Sequence, residues 1–506
     1  MFSKLIKMIK DAIQRMISSV SGDMVTVDIS STISDKMQKA IEKWLNIYEN
    51  NPPWNFDGTT HYTTLGIGGQ VCSELARSVM LEFESNILDL DYNPDDEINI
   101  EDEPKTRAQF LNQVYKNKLV PKLRTQLEYG MATGGLVIKP YLKNNKICFD
   151  FSMQGEFIPI AFDDDGNITD IAFISSFISG KKRYTKVERH TFDEVANTVT
   201  VQNKAYVAEN AEEMNDLGNE IELSKIEPWK DISPEPVTLE NVKAPLYGYY
   251  RFPRANNVDE KSPLGASAFS RAVDIIEKAD KQFNRLDWEY HAGQMAINAD
   301  PTLLEGDYFG NGYNYRPNIP EADARMYRKV DTEDLFETFA PALRDANFQA
   351  GLNSYLIRIE DLCELSRGTI SNPEVEARTA TELKILKQRA YSNIQDNQIE
   401  LERCLKSVIY AMSVYCDLYN LFQNGEYTTA FSWDDSVIVD RETQLQEQIT
   451  LCNEDILSKA EVRSWYTGES LEKAQVTIDE ISESKQLAND IFTMGGGNVD
   501  DPQDEE

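Results

Sequence analysis

Histidine is nearly missing from this chain: three in 506 residues, His61, His190 and His291, each in a different stretch. A histidine-rich metal centre would need all three to converge over long range. Cysteine is scarce too. Cys72, Cys148, Cys363, Cys404, Cys416 and Cys452 form no C-x-x-C pair, which argues against a zinc site or a disulfide framework and suits a reducing compartment. No run reaches the about 18 apolar residues that a membrane span needs. Positive charge is in short supply, with 51 Lys+Arg against 85 Asp+Glu and a formal net charge of −34. Proteins grip phosphate by displacing counterions with Lys and Arg, so tight passive binding to DNA or anionic lipid is disfavoured, whereas loose handling of DNA is not. There is no G-x-S-x-G elbow. The glycine-rich stretches at 66–70 (GIGGQ) and 130–135 (GMATGG) lack the Lys-Ser/Thr that completes a phosphate-binding loop. The chain reads as non-enzymatic, with no cofactor.

What is present is a 41% hydrophobic content, enough for cores in roughly two to four domains. The first residues place Phe2, Leu5, Ile6, Ile9, Ile13, Met16 and Ile17 on one helical face. Lys7, Lys10, Asp11 and Arg15 interrupt any export signal, so this face suits packing on protein more than a membrane. Apolar spacing predicts helices over 35–48, over 69–87 (Val71, Leu75, Val79, Phe83) and over 105–129, the last interrupted by Pro121. The acidic stretch 89–103 reads as a loop. From 134 to 208, short β-branched and aromatic runs alternate with turn residues such as Asn144-Asn145, Asp165-Gly166-Asn167 and Gly180-Lys181, which predicts an antiparallel meander. Residues 209–247 read as an irregular connection.

The second half is mainly helical. A helix is expected over 264–293, with Phe269, Val273, Ile276, Ala279, Phe283, Leu286 and Tyr290 in register. Residues 294–340 lose the period and carry Gly306, Gly310, Gly312 and four tyrosines from Tyr308 to Tyr327. A second helix follows over 342–366 (Leu352, Leu356, Ile359, Cys363). A very long third one spans 380–423, opened by the capping box Thr379-Ala380-Thr381-Glu382. At 1.5 Å per residue the third helix would be on the order of 65 Å long. Asn397 interrupts its apolar stripe between Ile394 and Leu401, as a kink, a register device or a solvated gap. A hairpin-like segment over 427–439 precedes three shorter helices, the second opened by the capping box Ser458-Lys459-Ala460-Glu461. The tail GGGNVDDPQDEE reads as disordered. The fold class is α+β, mainly helical.

Two acidic groups are candidate metal ligands. Asp163-Asp164-Asp165-Gly166 is better explained as a hairpin turn than as a calcium loop, which would need oxygen ligands spaced by twos and a late Glu. Asp434-Asp435 has the same reading. His190 alternates with Glu188 along a strand, so both project from one face. That suits a paired core histidine more than a general base with its orienting carboxylate.

Four stretches together resemble bacteriophage portal proteins, closest to the group from tailed phages of Gram-positive bacteria. They are SPLGASAFSRAVDIIEKADKQFNRLDWEY, ARTATELKILKQRAYSNIQDNQIELE, DDSVIVDRETQLQEQ with ILSKAEVRSWYTGESLEKA, and YTKVERHTF. They span about 180–480, in an order of helix, insertion, helix, short loop and long helix. The resemblance implies a wing over 1–262, stem helices over 263–293 and 341–366, and a clip over 294–340. It further implies a tunnel loop over 367–378, a spine helix and hairpin over 379–439, and a helical crown with an acidic tail over 440–506. It also implies a dodecameric ring without catalytic activity at the capsid vertex of the virion, assembled in the host cytoplasm. Double-stranded DNA would pass through its channel, and the terminase large subunit, a head–tail adaptor, and major capsid and scaffolding proteins would be its partners. The candidate DNA-facing residues are then Arg367, Thr369, Ser371, Asn372, Glu374, Glu376 and Arg378 in the tunnel loop, and Lys278, Lys281 and Arg285 on the first stem helix. These cations equally suit pairing with carboxylates of neighbouring subunits. Tyr308, Tyr313, Tyr315 and Arg316 are the candidate clip contacts with adaptor or terminase. The alternatives are a head-vertex or capsid protein without a channel, and a metal-dependent nuclease using Asp163–Asp165 or Asp434-Asp435.

Overall fold

The computed structural model describes residues 33–56, 58, 61–90, 92, 103–211, 217–299, 327–329, 336–372, 380–433, 441–454, 456–467 and 470–494. Outside them lie the N-terminal apolar face, most of the acidic stretch 89–103, Tyr308, Tyr313, Tyr315, Arg316, Glu374, Glu376, Arg378, the Thr379 cap, Asp434-Asp435 and the acidic tail. The chain divides into two compact units. One comprises Met1–Val79, Lys122–Tyr141 and Phe149–Ala411, the other Met80–Pro121, Leu142–Cys148 and Met412–Glu506.

The first unit begins with α1 (Asp35–Tyr48), whose N-terminus is closed by Ser34 Oγ accepting from Met37 N at 3.2 Å. Met37, Ile41, Trp44 and Ile47, three or four apart, form its buried face. In α2 (Ile67–Val79) the buried stripe is Val71, Cys72, Leu75 and Val79. This helix is shorter than its apolar spacing predicted. Glu82 takes a left-handed φ of 56° and ends it, and Phe83 belongs to a strand. Pro121 does not interrupt the helix it was expected to interrupt. It lies in the first turn of α4 (Val120–Thr133), where a missing N–H has no helical partner to lose.

Two sheets follow. Strands β2 (Gly135–Lys143), β3 (Lys146–Met153) and β10 (Gly248–Arg251) pair in the order β10-β2-β3. Asn144 and Asn145 both take positive φ in the two-residue β2–β3 turn, as a primed turn requires. The larger sheet contains β4 (Phe157–Phe162), β5 (Ile168–Ser179), β6 (Lys182–Asp193), β7 (Thr198–Ala208) and β8 (Asn219–Ile221) as successive neighbours. Strand β9 (Val237–Glu240) also pairs with β7. Residues 209–247 are therefore less irregular than expected. They add two short strands and two 3-10 turns that bury Leu223, Ile226 and Trp229 against Ala205 and Phe177. Strands of three or four residues are too short to show a period in sequence.

The next helix, α5 (Val273–Ala292), starts nine residues later than the expected 264. Leu264, Ala266, Ala268, Phe269 and Ala272 are all buried, but in a non-helical stretch whose apolar density imitates a helical stripe. Its backbone lies against the turn before β2: a Cβ on Gly265 would stand 2.0 Å from the Gly134 carbonyl oxygen. Strands β11 (Ala296–Ala299), β12 (Tyr327–Lys329) and β13 (Phe336–Phe339) form a mixed three-stranded sheet in the order β12-β11-β13. It joins α5 to α6 (Asp345–Cys363), and these two helices pack on each other. Then comes α7 (Ala380–Leu418), 39 residues and about 60 Å long. It ends before the expected 423, where Asn420 takes a left-handed φ of 48°. Asn397 is fully buried, not solvated. It accepts a hydrogen bond from the Tyr250 hydroxyl of β10 and donates to Asn393 O at 2.6 Å. With one partner on another element, the Asn397 slot sets the register of α7 against β10.

The second unit contains β1 (Phe83–Leu88), α3 (Arg107–Lys118) and the C-terminal elements. Thr106 caps α3, and the buried Arg107 binds Asp417 at 2.5 Å, Asn424 Oδ1 at 3.1 Å and Ser413. Residues 434–439 of the expected hairpin lie outside the described residues, and 428–433 form strand β14 (Thr428–Trp433). Its partner is β1, from Phe83↔Trp433 to Leu88↔Thr428, and the Phe83 and Trp433 rings lie 4.5 Å apart. Helices α8 (Arg441–Asn453), α9 (Lys459–Thr467) and α10 (Leu471–Met494) complete it. The Ser458–Glu461 box at α9 is closed in both directions, at 2.7 and 3.1 Å.

Candidate functional site

The helix pair α5–α6 and the segment that follows it bring together most of the described candidate residues. At the end of the pair nearer the inserted sheet, Arg344 grips Glu289 with two guanidinium contacts, Nε to Oε1 at 3.0 Å and Nη2 to Oε2 at 2.7 Å. Its hydrogen bonds to Arg344 hold the Glu289 carboxyl below the usual carboxylate range. Further along the pair, Gln349 donates to the Tyr290 hydroxyl at 3.1 Å.

Halfway along α5, Asp280 turns inward. It accepts from Trp54 Nε1 and from Leu65 N, both at 2.9 Å, while Asn284 exchanges two hydrogen bonds with the Thr63 backbone. Burial raises the Asp280 pKa, and the Leu65 and Trp54 bonds oppose that rise. The inner face of α5 is thereby tied to residues 54–65. Of the three candidate cations on this helix, Lys281 pairs with Glu277 one turn earlier at 2.6 Å. Lys278 and Arg285 are exposed, with Arg285 contacting Gln282 at 3.5 Å.

The other end of α6 is more elaborate. Glu364 takes a left-handed φ of 57° and stops the helix. Arg254 reaches the α6 C-terminus from the chain after β10. Its guanidinium donates to Leu362 O at 3.3 Å, to Cys363 O at 3.4 Å and to Ala268 O at 3.1 Å, and forms a salt bridge with Glu364 at 2.9 Å. A cation over the last carbonyls of a helix satisfies groups that have no helical partner and complements the helix dipole.

Beyond Glu364 the chain folds back over Glu360, which is completely buried. One carboxylate oxygen accepts from Ile370 N at 2.6 Å and Ser371 N at 2.8 Å. The other accepts from Gly368 N at 3.3 Å and Ser371 Oγ at 2.8 Å. Gly368 has φ +85°, a conformation that suits glycine and lets these N–H groups converge. Asn353, two turns before Glu360 on α6, accepts from Asn372 N at 2.9 Å.

Of the expected DNA-facing loop residues, Arg367, Thr369, Ser371 and Asn372 lie among the described ones. Ser371 is only 5% exposed and its hydroxyl is engaged by Glu360, so it faces the protein. The Thr369 hydroxyl binds Ser366 O at 2.6 Å, while Arg367 is exposed and contacts Asp361 at 3.4 Å. Glu360 and Arg254 were missed. For Glu360 a signal was available: it continues the Leu352–Leu356 spacing by four and so puts a carboxylate in the apolar stripe of α6, just before the SRGTIS run. Arg254 offered none, because its partners are backbone atoms far along the chain.

Asp163, Glu188 and His190 are engaged within the sheet they belong to. Asp163 accepts from Asn167 N at 2.7 Å and from Asn167 Nδ2 at 2.8 Å, which closes the β4–β5 turn. His190 Nε2 lies 2.8 Å from Glu188 Oε1 in a buried cluster where Lys139 also binds Glu188 at 2.7 Å and Lys186 binds it at 2.8 Å. Burial lowers the His190 pKa against the pull of Glu188, which favours the neutral imidazole. Burial alone would raise Glu188, but Lys139, the His190 bond and Lys186 outweigh it and hold the carboxyl well below its usual range. Both folded values lie below the unfolded ones. Their stabilisation is therefore complete above about pH 6.5, the ordinary histidine value, and is lost as pH falls through the folded values. The melting temperature should drop between pH 7.5 and 5.5, and His190→Gln should show a smaller drop. An equal drop in the variant would remove His190 from the explanation.

Among the described residues no three His, Cys, Asp or Glu side chains form a metal-holding group, and all six cysteines are free thiols. No described helix is long and apolar enough to cross a membrane. What does converge is a helix pair carrying an inserted sheet, a buttressed return segment and a long helix, the build of a structural framework. The chain belongs to the bacteriophage portal protein family: the family model described as phage portal protein, SPP1 Gp6-like, matches residues 92–487 of 506. The match includes the helix pair, the Glu360-anchored segment and α7, and the family is a structural one. No curated protein matches the chain significantly.

Proposed function

We propose that copies of this chain assemble into a dodecameric ring at the capsid vertex, and that double-stranded DNA is packaged and ejected through its channel. The terminase large subunit and later a head–tail adaptor dock on it, and it meets the major capsid and scaffolding proteins during assembly. In this reading the wing occupies 1–262, the stem is α5 with α6, and the clip is 294–340 with the sheet β12-β11-β13. The tunnel loop is 367–378, the spine begins with α7, and the crown is 440–506. The observation that carries it is the α5–sheet–α6–anchored segment–α7 succession in a chain of the portal family. Arg367, Thr369 and Asn372, with Glu374, Glu376 and Arg378, face the DNA, and Lys278 and Arg285 face the same channel. Tyr308, Tyr313, Tyr315 and Arg316 meet the terminase or adaptor.

The charge balance supports a conduit. Each phosphate neutralised by a cation adds affinity, so a subunit with 85 acidic against 51 basic residues lets DNA slide where a basic one would hold it. Electron microscopy and native mass spectrometry of the purified protein should show closed rings of twelve. A monomer that persists under all assembly conditions would sink the proposal.

A further inference from the structure

We propose that Glu360 is a positioning residue: it latches the Gly368–Ser371 backbone onto the last turn of α6 and thereby fixes where Arg367 stands for contact with duplex DNA. This rests on the reading of 367–378 as the DNA-facing loop.

Three features of Glu360 point to a built latch. It is fully buried, yet among the described residues no cation lies within ion-pair distance of it. A buried carboxylate without a cation is expensive unless hydrogen bonds replace its water. It also stands in the last turn of α6, where the helix dipole disfavours negative charge. Both penalties are met by four donors, three of them the N–H groups of Gly368, Ile370 and Ser371 and the fourth the Ser371 hydroxyl. Converging backbone N–H groups form an anion nest, and here the anion is the protein's own.

The donors come from one short segment and the acceptor from a rigid helix, so the segment moves with α6. Arg367 precedes the first of these donors and lies outside the latch, exposed, with Asp361 of α6 at 3.4 Å. A helix-borne carboxylate thus holds the segment from within, while the side chain offered to phosphate remains on its outer side. A glutamine at 360 keeps the shape but turns an NH2 group toward one pair of donors, which breaks that half of the nest.

The test uses the assembled ring and phage particles carrying it. In Glu360→Gln, amide hydrogen exchange at Gly368, Ile370 and Ser371 should accelerate about tenfold or more, while the helical amides of α5 and α6 and ring formation stay as in the wild type. Ser371→Ala removes one donor to Glu360 and a second acceptor of Gly368 N but leaves the carboxylate, and should accelerate Ile370 and Ser371 less. It serves if Glu360→Gln fails to assemble. Particles with Glu360→Gln should package less DNA, as should Arg367→Ala, and the double variant should be no worse than the more defective single one. Unchanged exchange in both latch variants overturns the proposal. So does faster exchange with wild-type packaging when Arg367→Ala is defective, and that result leaves the proposed function standing. If rings form and both Glu360→Gln and Arg367→Ala package normally, the DNA-facing reading of the segment fails and the positioning role falls with it.

Discussion

Replacing Arg254 with alanine should destabilise the C-terminal end of α6 by about 3–5 kcal/mol, the range seen when one partner of a buried ion pair is removed. The side chain is 5% exposed and makes four polar contacts, to Ala268 O, Leu362 O, Cys363 O and Glu364, with the Phe252 ring 5.5 Å beneath the guanidinium. Alanine would leave three carbonyls without these donors, two of them the last of a helix. It would also strand Glu364, whose other cation, Arg271, is 3.8 Å away. Lysine should recover only part of the loss, because a single ammonium cannot span donors arranged for a planar fork. The measurement is hydrogen exchange over 359–364. Protection equal to the wild type in Arg254→Ala would mean that the helix end is held by packing alone.

The second large effect is expected at Gly248. A Cβ there would stand 2.3 Å from the Cys404 carbonyl oxygen and 2.7 Å from Val408 Cγ2, both on α7. The first is a backbone atom of a long helix and cannot swing aside, so α7 would have to retreat from β10. That would break the Tyr250–Asn397 bond and open the row of buried residues Leu401, Cys404, Leu405 and Val408. Gly248→Ala should therefore cost about 3 kcal/mol or more, at or above the usual range for overpacking, and show as a large fall in soluble yield and melting temperature. Gly69→Ala is the control. Its Cβ meets nothing closer than Tyr48 O at 3.9 Å, in the first turn of α2, and alanine there should be neutral or slightly stabilising. A Gly248→Ala protein that melts with the wild type would refute the close-approach argument.

The elements legible in the sequence are those whose signal is repeated many times. α7 is announced by a stripe running over ten turns. The β4–β7 meander is announced by alternation broken at Asp165-Gly166-Asn167 and Gly180, and α9 by both partners of its capping box. Where a signal is short or borrowed, reading it fails. The apolar residues 264–272 look helical because burial in an irregular stretch and burial on a helix face select the same side chains. The pairing of strand β14 with β1, some 340 residues earlier, was missed because nothing local records it. At the candidate site, family resemblance pointed to the segment 367–378, but nothing in it pointed to the bond between Ser371 and Glu360. A serine hydroxyl does not announce whether it will meet solvent or a carboxylate.

By itself the sequence determined the order of most of the elements and the acidic balance, because composition, periodicity and caps are properties of neighbouring residues. The class of protein was legible through family resemblance alone. Only the tertiary structure decided which buried polar groups hold the parts together. Asn397 on Tyr250, Arg254 on the end of α6 and Glu360 beneath the Gly368–Ser371 turn are hydrogen-bonded arrangements, and in each at least one decisive partner is a backbone atom or a residue on another element. A donor and an acceptor compensate each other's burial only once folding has removed the water between them, so no residue could reveal its partner before the chain had closed.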